Sequence, residues 1–222
     1  MKIAIFGDSF AHSRMDNSTP GWPEILAKKY TVRNHAQSGS ALYYSVDLFL
    51  KNHQFADKII FIVTTPGRLT LPINDLRKKF IPNYHNATSL KEVFKEDTIF
   101  LKVIDAAIGF FLHVQNDKYE KFIHNLMIEE VKRVRPDAII IDAFGSPPAF
   151  DSMYQIQLKE ERAWNYSPLV ASFSDRRNCH MTVENNAIFA EKVEEWLHGA
   201  PVKINLDDFV TPMNKEFYLK DE

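Results

Sequence analysis

Lys2-Ile3-Ala4-Ile5-Phe6-Gly7-Asp8-Ser9-Phe10 begins with an apolar run of strand length and breaks abruptly at glycine. A run that is apolar without alternation reads as a strand buried on both faces, the pattern of a parallel sheet. Lys58 to Val63 and Ala138 to Asp142 repeat it, and Tyr30 to Asn34 is a weaker strand. Between and after the strands lie helical patterns: Trp22 to Lys29, Ala41 to Lys51, Lys118 to Val134 and Val183 to Leu197. In the third of these, Tyr119, Phe122, Ile123, Leu126, Met127 and Val131 recur at three and four residues, forming one face of an amphipathic helix. Arg135-Pro136 ends it, because proline cannot continue the hydrogen-bond ladder. Strands alternating with helices imply βαβ units. The expected fold class is therefore α/β, a three-layer α/β/α sandwich on a parallel, flavodoxin-like sheet.

The whole chain, 1–222, is read as one doubly wound domain, without internal repeats or low-complexity segments. It carries a structured insertion at about 66–116, with a helix expected at Leu90 to Glu96 and an apolar stretch from Ile99 to Val114. A second long connection, Gly145 to Asp175, is expected to hold a helix from Ser152 to Trp164. Such long connections in compact domains usually serve function. Phe209, Val210, Phe217 and Tyr218 predict that the C-terminal tail, about 201–222, packs back onto the domain.

Composition narrows the function. With 222 residues, 45% of them hydrophobic, the chain can build a core without staples, and its single cysteine excludes an internal disulfide or a multi-cysteine zinc site. The formal net charge of -2 gives no electrostatic case for nucleic acid. No stretch approaches the ~20 apolar residues of a membrane span, and the N-terminal run is shorter than the about 7–15 residues of a secretory signal. A cytoplasmic protein is expected. Seven of the eight histidines, His12, His35, His53, His85, His113, His124 and His198, show neither metal-ligand spacing nor an acidic cluster and read as surface residues. No metal and no cofactor is predicted; the glycines of a dinucleotide fingerprint or P-loop are missing as well.

In a parallel sheet, ligands bind beyond the carboxyl ends of the strands. Gly7 permits a tight turn there, and Ser9 is placed where a hydroxyl can attack a carbonyl, although Gly-Asp-Ser is also an ordinary turn. Ile3-Ala4-Ile5-Phe6-Gly7-Asp8-Ser9-Phe10, directly after the N-terminus, resembles the first block of the SGNH (GDSL) hydrolase family. The resemblance implies that Ser9 is a nucleophile. Asp175-Arg176-Arg177-Asn178-Cys179-His180-Met181-Thr182 precedes the last amphipathic helix, with Thr182 as its expected N-cap. The family places its catalytic histidine in this setting, which implies His180 as the base. Where the family has an aspartate three residues earlier, this chain has Arg177; Asp175 is the expected acid, with Asn178 or a backbone carbonyl as alternatives. Cys179 is not expected to act as a nucleophile, since adjacent residues usually point apart.

The resemblance further implies an oxyanion site made by the N–H groups of Ser9 and Gly39, the latter in Asn34-His35-Ala36-Gln37-Ser38-Gly39-Ser40. The family's third block, Gly-x-Asn-Asp, is replaced by Thr64-Thr65-Pro66-Gly67-Arg68. Thr65, or Thr64, is the candidate substitute donor; an uncompensated loss of one donor costs about 2.7–4 kcal/mol of transition-state stabilisation. Arg68 is either a ligand for a substrate hydroxyl or carboxylate, or a solvated loop residue. Phe110-Phe111 reads as core, acyl-pocket lining or a subunit interface, so a homo-oligomer stays open. The resemblance points to a hydrolase of carboxylic esters, with an O-acetylated carbohydrate as the substrate class. The alternative is a weakly active or inactive protein of the same fold that binds or builds, motivated by Arg177 and the altered third block.

Overall fold

The structure is a computed structural model that describes residues 1–12, 20–64, 68, 91, 94–142 and 183–202. Four strands, β1 (Lys2–Phe6), β2 (Thr31–Asn34), β3 (Lys58–Val63) and β4 (Ile139–Asp142), form one sheet in the order β2-β1-β3-β4. These four strands pair in parallel, with Ile5 opposite both Asn34 and Ile60, and Ile60 opposite Ile139. This is the flavodoxin-like order, in which connections on either side of β1 run to opposite faces.

Alternate residues of each strand supply the two faces. Ile3, Ile5, Ile60, Ile62, Ile139 and Ile141 pack against Trp22 and Leu26 of α1 (Trp22–Ala27) and Phe189, Val193 and Trp196 of α5 (Val183–Leu197). Ala4, Phe6, Ile59, Phe61, Val63 and Ile140 pack on the other side against Leu42, Val46 and Phe49 of α2 (Leu42–Asn52) and Ile128 and Val131 of α4 (Asp117–Val134). Two cores, one on each face, make three layers. Full burial of each such Ile or Phe is worth roughly 1.5–3 kcal/mol, which is why β1 and β3 tolerate no polar residue between their first position and their last.

The four expected strands and the helices expected at Trp22 to Lys29, Ala41 to Lys51, Lys118 to Val134 and Val183 to Leu197 stand within about two residues of their predicted ends. Among its described residues, the insertion departs from expectation at the end of its expected first helix. Phe94 to Glu96 form a turn and not the end of a helix, because Asp97 N–H donates to the Phe94 carbonyl at 2.9 Å and the Asp97 carboxylate caps Phe100 N–H at 2.9 Å. That cap starts α3 (Thr98–His113), the structure taken by the apolar stretch. α3 buries Phe100, Ile104 and Ala107 and leaves Ile99 and Leu112 exposed. Asn116 then caps α4, its Oδ1 accepting from the N–H groups of Lys118 and Tyr119. At the far end of α4, Arg135 donates to the carbonyls of His53, Ala56 and Asp57, fixing the helix end to the entry of β3. Among the described residues no helix is long and apolar enough to cross a membrane. The expected helix at 152–164 and the tail beyond Val202 lie outside the described residues.

Candidate active site at the carboxyl edge of the sheet

All four strands run the same way, so their carboxyl ends gather at one edge. The turn after β1 is built by Gly7 and Asp8. Gly7 has φ +150°, and a Cβ there would lie 2.6 Å from Cβ of Ile62 on the neighbouring strand, so only glycine fits. The Asp8 carbonyl accepts from Ala11 N–H at 3.1 Å and His12 N–H at 2.9 Å, and its carboxylate Oδ1 accepts from Phe10 N–H at 3.1 Å. Asp8 thus opens and caps a single helical turn, and Ser9 is the first residue inside it. Ser9 is largely buried, 7% exposed.

A second turn lies beside the first. Ser40 N–H donates to the Gln37 carbonyl at 3.1 Å, and Gly39 takes φ +75°, the signature of a type II turn with glycine at its third position. Among the described residues, no atom beyond the chain neighbours lies within 4 Å of where a Gly39 Cβ would stand, so the turn borders open space there. The two turns are sewn together at the Gly7 carbonyl, which accepts from Gln37 N–H at 3.1 Å and Ser40 Oγ at 3.1 Å, and α2 adds a third donor, Ser45 Oγ at 3.2 Å. His35 N–H donates to the Ile5 carbonyl at 2.8 Å just before them, and the His35 ring stacks on Phe6. Burial, with a smaller contribution from Arg33, pushes the His35 imidazole below its ordinary pKa.

The end of β3 joins through charge. Asp8 is fully buried, and its Oδ2 accepts from the Thr64 hydroxyl at 2.9 Å and from Arg68 Nη1 at 2.8 Å. The same Arg68 nitrogen donates to the Ser40 carbonyl at 3.2 Å. A buried carboxylate is tolerated only when paired and hydrogen-bonded, and these donors meet that requirement. Behind them, His124 of α4 is buried, and its Nε2 lies 2.7 Å from the Thr64 carbonyl. A carbonyl only accepts, so Nε2 carries the proton. Burial pushes the His124 imidazole below its ordinary pKa, against the opposing effect of that hydrogen bond.

α5 reaches the same edge. Near its N-terminus, Asn186 Oδ1 accepts from Trp22 N–H at 3.0 Å, and the Trp22 indole donates to the Phe10 carbonyl at 2.7 Å. Two hydrogen bonds therefore connect the start of α5 to the residue after Ser9. His180 precedes α5 by three residues, a reach of at most about 11 Å of extended chain.

Of the six predicted site residues, Ser9, Gly39 and Arg68 are brought to one edge, whereas Thr65, Asp175 and His180 lie outside the described residues, as does the expected cap Thr182. Three sequence readings are corrected. Arg68 is not a solvated loop residue: its side chain is 12% exposed and ion-paired with Asp8. Thr64 is not an oxyanion donor, because its single hydroxyl proton goes to Asp8. His124 is not a surface histidine; it packs beneath Thr64. Asp8, Ser40 and Ser45 hold the turns without any spacing motif to mark them, although a carboxylate directly after a buried strand signals a need for partners. Among the described residues, no three His, Cys, Asp or Glu side chains gather as metal ligands would.

No family model matches the chain, and no curated protein matches it by sequence. Among solved structures it is similar to a lipase/acylhydrolase from Enterococcus faecalis, at 12% identity and TM-score 0.36, covering 89% of this chain and 95% of that one. It is also similar to a catalytic mutant of Axe2, an acetylxylan esterase from Geobacillus stearothermophilus, at 10% identity and TM-score 0.35, covering 92% of this chain and 96% of that one. A second Axe2 variant stands at 10% identity and TM-score 0.34 over the same shares.

Proposed function

We propose that the chain is a serine hydrolase of carboxylic esters of the SGNH kind, with Ser9 as nucleophile. The observation that carries this reading is the placement of Ser9 on a glycine-dependent turn, tied by the Gly7 carbonyl to the Gly39 turn that borders open space. An acyl-transfer site needs a hydroxyl beside backbone N–H groups that receive the developing oxyanion, held in advance by the fold. In this reading His180 takes the Ser9 proton as the hydroxyl attacks the ester carbonyl, then delivers it to the departing alcohol. Water, activated by the same imidazole, releases the acid. Asp175 orients His180 by accepting from Nδ1–H. The N–H groups of Ser9 and Gly39 hold the oxyanion, with the Thr65 hydroxyl in place of the family's missing asparagine. No cofactor or metal enters, and the substrate class is a small O-acyl group, acetyl first, on a carbohydrate.

The reading is tested by incubating the protein with a fluorophosphonate probe and mapping the adduct by peptide mass spectrometry, beside turnover of a chromogenic acetyl ester and of acetylated xylo-oligosaccharides. Labelling confined to Ser9, with release of acetate, supports it. Labelling elsewhere, or none together with no turnover, overturns it in favour of a binding or structural role.

A further inference from the structure

We propose that Arg68 is a positioning residue that sets the spacing between the Ser9 turn and the Gly39 turn, and does not bind substrate. The inference rests on the ester-hydrolase reading and assigns Arg68 a place within it. The two turns are joined at the Gly7 carbonyl by Gln37 N–H and the Ser40 hydroxyl. They are bridged a second time by one nitrogen: Arg68 Nη1 reaches Asp8 Oδ2 at 2.8 Å and the Ser40 carbonyl at 3.2 Å.

Both acceptors adjoin a proposed oxyanion donor in sequence. Asp8 precedes Ser9 and Ser40 follows Gly39, so the distance between the two acceptors constrains the distance between the two N–H groups. Asp8 and Ser40 are both fully buried, and water cannot replace the guanidinium cheaply. The planar nitrogen presents its two hydrogens in a fixed geometry, which a lysine ammonium on a flexible stem does not reproduce. Asp8 keeps Thr64 and Phe10 N–H when Arg68 is removed, so the β1 turn remains capped while the Ser40 carbonyl loses this donor and its turn is released. Oxyanion donors act only when aimed at the tetrahedral oxygen, so the consequence falls on the transition state and not on the bound ester.

The test compares wild type, Arg68→Lys and Arg68→Ala with a chromogenic acetyl ester, each rate referred to the folded fraction read from thermal melting. A boronic acid that forms a tetrahedral adduct on the serine serves as a second probe. In Arg68→Ala, kcat is expected to fall by about 100-fold, the usual loss for one misplaced oxyanion donor, with KM held within about threefold. Boronate affinity is expected to fall in step with kcat. Arg68→Lys is expected between the two, and millimolar guanidinium to restore part of the Arg68→Ala rate. A KM that rises while kcat holds would make Arg68 a substrate ligand and overturn the proposal. A kcat unchanged per folded molecule would overturn it too, leaving Arg68 a stabilising residue. Absence of Ser9-dependent turnover in the wild type sinks the ester-hydrolase reading itself, and this one with it; the Arg68 variants alone distinguish failure of the positioning role.

Discussion

The Thr64 hydroxyl donates to Oδ2 of Asp8 at 2.9 Å, joining the end of β3 to the turn after β1. Asp8 is fully buried, so each lost donor leaves negative charge in a medium that solvates it poorly. Thr64→Val keeps the shape and removes the donor, and is expected to cost about 1–3 kcal/mol. Thr64→Ser is expected to retain most of that stability. Urea denaturation of the two variants checks the difference; equal midpoints would contradict the assigned bond.

The two glycines of the site are expected to respond differently. Gly7→Ala forces a Cβ to within 2.6 Å of Ile62 Cβ, between two buried strands that cannot part, with an expected cost of about 1–3 kcal/mol or outright failure to fold. Gly39→Ala meets no neighbour among the described residues and incurs the strain of φ +75°, about 1–2 kcal/mol. The Gly39→Ala protein is therefore expected to fold, and it tests the site separately from the fold. Its acetyl-esterase kcat is expected to fall while its melting temperature shifts modestly; loss of both glycine variants to the same degree would contradict the assignment.

Much of this arrangement was legible in the sequence, for reasons that differ between elements. β1 and β3 announce themselves because both faces are buried, and α4 because only one of its faces is. α3 is harder to read as a helix because Ile99 and Leu112 are apolar yet exposed, so the polar side marked by Thr98, Lys102 and Asp105 is interrupted. Gly7, Ser9 and Gly39 could be placed at the sheet edge by strand order alone. Arg68 and His124 could not, because their partners, Asp8, Ser40 and Thr64, are 28 to 60 residues away in sequence. Spacing motifs record local chemistry, and these bonds are made by topology.

Buried His124 and half-buried His35 predict a pH dependence with a definite sign. His124 and His35 both have pKa values pushed down from about 6.5 by burial, so the unfolded chain takes up protons that the folded chain refuses. Their contribution to stability is complete above about pH 6.5 and is lost as pH falls from there through the lowered folded values. The melting temperature is expected to rise with pH across this window. His124→Gln, whose amide can donate to the Thr64 carbonyl, is expected to flatten that rise in part, His35 supplying the rest. A variant with the wild-type slope would show that His124 titrates normally.

The link from α5 to the Ser9 turn runs through Trp22. Asn186→Ala removes the acceptor of Trp22 N–H and is expected to cost about 1–3 kcal/mol, measurable by chemical denaturation. If His180 is delivered by the start of α5, kcat of the folded variant falls further than KM changes. An unaltered kcat would separate that helix end from the chemistry.

Whether Ser9 is the nucleophile is decided by the kcat/KM of Ser9→Ala toward a chromogenic acetyl ester. A loss of more than about 10³-fold is expected with the melting temperature retained, since removing a nucleophile leaves only binding and oxyanion contributions. Turnover equal to wild type in a folded Ser9→Ala protein would contradict it.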